Sequence, residues 1–410
     1  MPPSSEPPAP PPPNAALPWP DLLRQHQAHR QSLHLLRQRR SVHRLDVTQV
    51  QIDGRVFIDF RANDYLGLSH HPAVVQAVVE STQRAGWGSG ASPLLGGWPP
   101  EIQQAERAIA QWKQTESALL LPSGFQANVA AVGTFAAIAR RANRPLRFLA
   151  DKQIHASLID AIAMTGLPLR LFPHNQFAKL RRLLTDQSAD AIDVVVTESI
   201  FSMDGDAANL QELVRIKEQQ PFQLLVDEAH GSGVYGEGGA GYVAEHGLSS
   251  AVDVTIVTLS KALGGIGGAV CGSTLFCDAV VNEGRSYIYS TGIPAAVGAA
   301  AMAALKVMRD EPQRQQRLRM AARWFRERLA AGGLALPAGD SPIVPVILGS
   351  EQAALDAAAE LERRGMLVAA VRPPTVPRGS SRLRITLSSE HNRDELDLLG
   401  ATIVDSCGKA

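Results

Sequence analysis

Cysteine is nearly absent from this 410-residue sequence: only Cys271, Cys277 and Cys407 occur, with no C-x-x-C pair among them. Such an odd, scattered set offers no disulfide framework and points to a reducing, cytoplasmic compartment. An excess of one charge is absent too, since 40 Lys and Arg face 40 Asp and Glu. Without a global positive field the chain is not expected to hold nucleic acid or an anionic membrane surface. No 18 uncharged apolar residues follow one another, so no spanning helix is expected. The opening MPPSSEPPAPPPPNAALPWP lacks both the basic start and the apolar run of a secretory signal. Residues 1–20 read as a disordered, polyproline-like tail.

What is present is apolar material, 45% of the chain, enough for a large core and for two or three domains. A stretch of 21–60 holds an N-terminal helix, a basic segment LLRQRRSVHRLD and VQIDGRVFIDF, which alternates around Asp53-Gly54 as a β-hairpin does. From 61 to 295 short apolar runs alternate with helical patterns, the signature of parallel βαβ units. The runs are ALLL, RFLA, VVVT, LLVD and TIVT, ending at 121, 150, 197, 227 and 258. Residues 296–410 carry long helical patterns, then IVPVIL, a helix over 351–364, MLVAAV and RLRITL, which predict a smaller α+β domain joined by the hairpin.

Ligands of open α/β sheets bind beyond the carboxyl ends of the strands. Each run here opens onto reactive or small residues: Ser123-Gly124-Phe125, Asp151 and His155, Ser202, Asp227 and His230, Thr258 and Lys261. Five strand ends would point these groups at one crevice.

The segment VDEAHGSG (226–233) admits three readings. A DEAH helicase also needs G-x-x-x-x-G-K-[ST], and the only Gly-Lys pair, Gly408-Lys409, precedes Ala. A dinucleotide fingerprint needs its first glycine directly after a strand and a helix within the motif, whereas Asp-Glu-Ala-His intervenes and GEGGAG follows. The third reading pairs Asp227 with TLSKALGG (258–265): a lysine past a buried strand, preceded by hydroxyls, can form a Schiff base with pyridoxal phosphate, and an aspartate beside the ring nitrogen keeps it protonated. A lone lysine there is more often surface decoration, Asp227 alone could cap a helix, and His155 or His230 alone could be structural. Consecutive placement of Asp227, His230, Thr258 and Lys261 is what favours the cofactor.

At these residues the chain resembles the α-oxoamine synthases, a family of fold-type I pyridoxal-phosphate enzymes. The likeness runs through NDYLGLSHHP (63–72), GSGAS (88–92), SGFQAN (123–128), DKQIHASL (151–158), ESIFSMDGD (198–206), TLSKALGG, YIYSTGIP (287–294) and RPPTVPRGSSRLRITLS (372–388). It implies an α/β fold with a mostly parallel seven-stranded sheet in the large domain, and decarboxylative condensation of an amino acid with an acyl thioester. RPPTVP with RLRITL, and IYST, are most similar to the branch joining L-alanine to a pimeloyl thioester.

Carried over motif by motif, Lys261 would hold the cofactor and act as the base at the α-carbon, and Asp227 would face the ring nitrogen. His155 would stack on the ring and assist decarboxylation, while His230 and Ser202 would reach its hydroxyl. Ser123, Gly124 and Phe125 would offer N–H groups to the phosphate at a helix beginning near Asn128, with hydroxyls from Thr258 and Ser260 and, across a homodimer, Thr291. Arg384 would grip the amino acid's carboxylate, and Arg37 and Thr375 would contact the acyl substrate. Pro93, Leu94 and Ile102 stand where many relatives carry basic residues, so an apolar lining could alter the substrate mouth or the dimer contacts. A relative of other specificity, such as a glycine C-acetyltransferase or a long-chain acyl enzyme, and a silent cofactor-fold subunit remain as alternatives.

Overall fold

All five apolar runs form strands, and their shared direction is what assembles a site. The computed structural model describes residues 18–186 and 190–407, so most of the proline-rich tail lies outside the described residues. Its central layer is a sheet of seven strands: β1 Ser117–Leu121, β2 Leu146–Asp151, β3 Leu169–Phe172, β4 Ile192–Glu198, β5 Gln223–Asp227, β6 Val254–Thr258 and β7 Gly268–Gly272, in the order β1-β7-β6-β5-β4-β2-β3. β7 is antiparallel to both β1 and β6, so the other six strands all run one way.

Two strands were not foreseen. β3 is a short edge strand with two exposed residues, and β7, GAVCG, is too glycine-rich to read as a strand. Burial on both faces explains the unbroken apolar runs of the centre. Val194, Val195, Val196, Leu224, Leu225 and Val226 are fully buried, each stabilising the fold by roughly 1.5–3 kcal/mol before conformational entropy is counted.

Helix Gly124–Arg141 begins four residues earlier than expected. The Ser123 hydroxyl accepts the N–H of Gln126 at 3.2 Å, and this cap starts the helix despite the glycine at its first position. Asp53 and Gly54 both take positive φ, as the two-residue turn between Gln49–Ile52 and Arg55–Asp59 requires. MLVAAV does not form one strand. Met366–Leu367 pairs in parallel with Arg55–Asp59, and Ala369–Val371 pairs with Ser381–Thr386. The split follows from packing, because Leu367 closes a small core with Val50, Ile52 and Phe57. Phe60 links the two sheets: its N–H donates to Leu367 and its carbonyl accepts from Thr386. Among the described residues no helix is long and apolar enough to cross a membrane.

A buried ion pair ties the loop after β5 to helix Pro100–Lys113. The Lys113 ammonium donates to the Glu228 carboxylate, to the Ala240 carbonyl and, at 3.1 Å, to Ser232, while Glu228 also accepts the Val243 N–H at 2.8 Å. Removing one partner would strand the other charge away from water. Lys113→Met is therefore expected to cost about 3–5 kcal/mol in denaturant unfolding, whereas a loss below about 1 kcal/mol would show that Glu228 finds another partner or takes up a proton.

Candidate active site

β4, β5 and β6 end side by side, with Glu198 in register with Asp227 and Asp227 with Ile256. Parallel pairing therefore places Glu198, Asp227 and Thr258 along one edge, and the loop from Leu259 to Gly267 brings Lys261 over it. That loop closes through Leu259 N–H to Gly267 and needs glycine at 264. There φ is +67°, and a Cβ would lie 2.2 Å from the Ser69 nitrogen.

The Lys261 amine sits 2.9 Å from His230 Nε2, and His230 Nδ1 sits 2.6 Å from the Tyr65 hydroxyl. Burial holds His230 well below its usual range, with the Lys261 charge adding to the effect, so the ring is neutral. Burial pushes the Tyr65 hydroxyl up to about 12, so it keeps its proton. The consistent assignment has Lys261 donating to Nε2, Nδ1–H donating to Tyr65, and Tyr65 donating to Asn63 Oδ1 at 3.3 Å. Arg384 donates to that same Asn63 oxygen at 3.3 Å. One hydrogen-bonded chain thus runs from the lysine to the arginine.

A second chain runs through Asp227. Asn128 donates to Asp227 Oδ2 and to the Ser157 hydroxyl, both at 2.9 Å, and Ser157 lies 2.7 Å from His155 Nδ1. The Ala229 N–H completes the Asp227 shell at 2.9 Å. Asp227 is buried, yet it joins no ion pair among the described residues. His155, by contrast, is exposed. Burial is the main cause lowering the Lys261 pKa to about 8. The Asp227 and Glu198 carboxylates oppose that shift and Arg384 adds to it.

Gly124 packs against Thr258, where a Cβ on Gly124 would lie 3.4 Å from the Thr258 Cβ. The Thr258 and Ser260 hydroxyls are 2.8 Å apart, and Ser260 and Phe125 are exposed. A Cβ on Gly268 would come within 2.5 Å of the Gly124 nitrogen, so β7 approaches the start of the helix backbone to backbone.

Arg384 is buried, with Nε donating to the Ser202 carbonyl at 2.7 Å and Nη1 to Thr386 at 2.8 Å. It too joins no ion pair among the described residues. Arg37 meets Thr375 at 3.3 Å beside a cavity of about 140 Å³ that includes Leu35 and Pro373. Among the described residues no hydrogen bond joins that cavity to Lys261. Thr291 is exposed. Ile102 is buried in the core and so lines no mouth, correcting the expectation for that position, whereas Leu94 is half exposed beside Pro93.

Sequence reasoning named no role for Tyr65, Asn63, Asn128 or Glu198, although each stands in a quoted motif. Glu198 is buried with Oε1 unpartnered. Desolvation first, then the Asp227 charge, holds its carboxyl well above the usual range.

A model of the aminotransferase class I and II family matches residues 55–403. The chain belongs to that family. Among its relatives, the 8-amino-7-oxononanoate synthase of Methylococcus capsulatus is 39% identical over 371 residues, 90% of this chain and 94% of that protein. A serine palmitoyltransferase solved with PLP superimposes with a TM-score of 0.88 at 26% identity, covering 95% of this chain and 98% of that one. The 8-amino-7-oxononanoate synthase of Francisella tularensis gives 0.74 at 29% identity, covering 85% and 97%. The fold is therefore fold type I, and the cofactor is pyridoxal phosphate. The residues present suit it: an amine that burial drives toward its neutral form, a buried carboxylate without a cationic partner, and a capped helix start beside two hydroxyls.

The lowered pKa of Lys261 can be tested in cofactor-free protein by competitive acetylation with acetic anhydride, read peptide by peptide. Below about pH 8 its reactivity should rise about tenfold per pH unit and then level, while exposed lysines keep rising toward about 10.4. If Lys261 tracks the exposed lysines instead, its desolvation is disproved.

Proposed function

We propose that this chain condenses L-alanine with a pimeloyl thioester, giving 8-amino-7-oxononanoate, carbon dioxide and free thiol, the acyltransfer of biotin synthesis. One observation carries the reading. Two buried charges of opposite sign, Asp227 and Arg384, lack ionic partners among the described residues, and both lie within electrostatic reach of the Lys261 amine. A cationic ring nitrogen would answer the first, and the carboxylate of an amino acid the second.

Bound pyridoxal phosphate supplies a sink for negative charge at the substrate's α-carbon. Lys261 Nζ would hold the cofactor, and its amine, with basicity set by burial, would be the base for the α-proton. His230 and Tyr65 keep the amine aimed by accepting and relaying its hydrogen bond. Arg384 receives the carboxylate on a planar fork that Asn63 and the Ser202 carbonyl hold in place. His155, oriented by Ser157, would pack against the cofactor ring and assist loss of carbon dioxide. Ser202 and His230 are assigned to the ring hydroxyl. Ser123, Gly124, Phe125, Thr258 and Ser260 are assigned to the phosphate, and Arg37 and Thr375 to the acyl group.

A homodimer with shared sites is part of this proposal, with Thr291 reaching the partner's phosphate. Exposed Trp87, Leu95, Ile266 and Tyr289 support it, since large apolar groups left in water mark a contact surface. Residues 61–295 are assigned to the cofactor-binding unit and 296–410, with the 21–60 segment, to the smaller one. A cytoplasmic location accords with three unpaired thiols.

The higher TM-score of the serine palmitoyltransferase favours a second reading, a serine-using relative; the higher identity to alanine-using relatives outweighs it. A visible-absorption titration of the cofactor-loaded enzyme with L-alanine, glycine or L-serine, before and after pimeloyl-CoA, separates the two. Preference for L-alanine supports the proposal, and preference for serine overturns its substrate. Arg384→Lys should raise the KM for L-alanine by about tenfold or more, because a point charge cannot copy a bidentate pair. An unchanged KM would remove Arg384 from the carboxylate site.

A further inference from the structure

Outside the groups already assigned, one polar cluster links both walls of the crevice. His174 lies just past β3, with Nδ1 3.0 Å from Asp151 Oδ1 and Nε2 2.7 Å from Asp206 Oδ2. A carboxylate only accepts hydrogen bonds, so a ring with a carboxylate at each nitrogen must donate from both. That ring is an imidazolium. Burial alone would lower its pKa, but the hydrogen bonds and charges of Asp151 and Asp206 outweigh it and raise the value to about 10.

The two carboxylates belong to different loops. Asp151 ends β2 and starts the turn to His155, accepting the N–H of Gln153 at 2.9 Å. Asp206 belongs to the loop after β4, where its carbonyl accepts the Phe201 N–H and the Ser202 carbonyl holds Arg384. Phe201 meets the His174 ring edge-on, with centroids 4.3 Å apart. Asn175 repeats the bridge, its N–H donating to Asp151 at 3.1 Å and its amide to the Ala207 carbonyl at 2.9 Å.

We propose that His174 is a positioning residue whose doubly donating ring sets the spacing between the loop carrying His155 and the loop carrying Ser202, and through Ser202 the fork of Arg384. This rests on the reading of Arg384 as the carboxylate site. The clamp acts on the amino acid and not on the acyl thioester, because Arg37 and Thr375 sit on other segments. Its loss should shift one Michaelis constant and spare the other.

The test is steady-state kinetics of cofactor-loaded His174→Gln, normalised per loaded site, with 15N NMR of histidine-labelled wild-type enzyme. A glutamine amide carries no charge and has both its donors on one nitrogen, so it cannot reproduce the two opposed donors of the ring, and the KM for the amino acid should rise about tenfold while that for the thioester stays put. Asp206→Asn, which keeps the shape, should move the same constant less, and covers the case in which His174→Gln does not fold. In wild-type enzyme at pH 8 both His174 nitrogens should carry protons. A merely structural role would lower the loaded fraction and leave the amino-acid KM unchanged, and that result overturns the proposal. One bare ring nitrogen at pH 8 overturns it equally. Arg384→Lys in the same assay separates the two failures: if it too leaves the amino-acid KM unchanged, the carboxylate assignment is at fault, whereas a raised KM there beside an unchanged one in His174→Gln condemns the clamp alone.

Discussion

Taking one amine out of water is the constraint around which this molecule is arranged. The Lys261 ammonium loses hydration at the edge of the sheet, and the neighbouring carboxylates of Asp227 and Glu198 return only part of what burial removes. The result is an amine that shares its hydrogen bond with a neutral histidine, itself unable to take a proton in so dry a place. A less enclosed lysine would keep its ordinary pKa of about 10.4 and offer a far smaller neutral, nucleophilic fraction at the same pH. The glycine turn at 264 lets the loop that carries Lys261 pack directly against the backbone at Ser69.

Strand direction decides which groups share it. Six strands running one way put their carboxyl ends at one edge, and only β7 runs back. That reversal lets Gly268 approach the first turn of the helix after β1, joining an edge strand to the central ones. The hairpin near the N-terminus and the C-terminal sheet meet at Phe60, which carries Arg384 into hydrogen-bonding range of the Ser202 loop over 182 residues of sequence.

Much of this was legible in the sequence because the signals are local. Fully buried strands read as unbroken apolar runs, and the motif residues Ser123, His155, Asp227, His230, Thr258 and Lys261 follow those runs directly. The illegible parts depend on partners far along the chain. β7 looks like a glycine loop until its neighbours are known, and MLVAAV reads as one strand because nothing local says that Leu367 joins one sheet and Ala370 another. The helix start was misplaced because a serine cap rescued a glycine whose propensity argued against it. Tyr65 and Asn63 sit in NDYLG, whose composition suggests a turn and gives no hint of His230, 165 residues away.

The sequence by itself determined the fold class, five of the seven strands of the central sheet and the residue types at their ends, since these follow from periodicity and from side-chain chemistry. Tertiary structure alone decided which of those residues touch. It placed neutral His230 between Lys261 and Tyr65, left Asp227 and Arg384 without ionic partners among the described residues, and buried Ile102 in the core. The physical reason is that hydrogen bonding and desolvation depend on distances of a few ångströms between segments, and those distances exist only once the sheet has fixed its register.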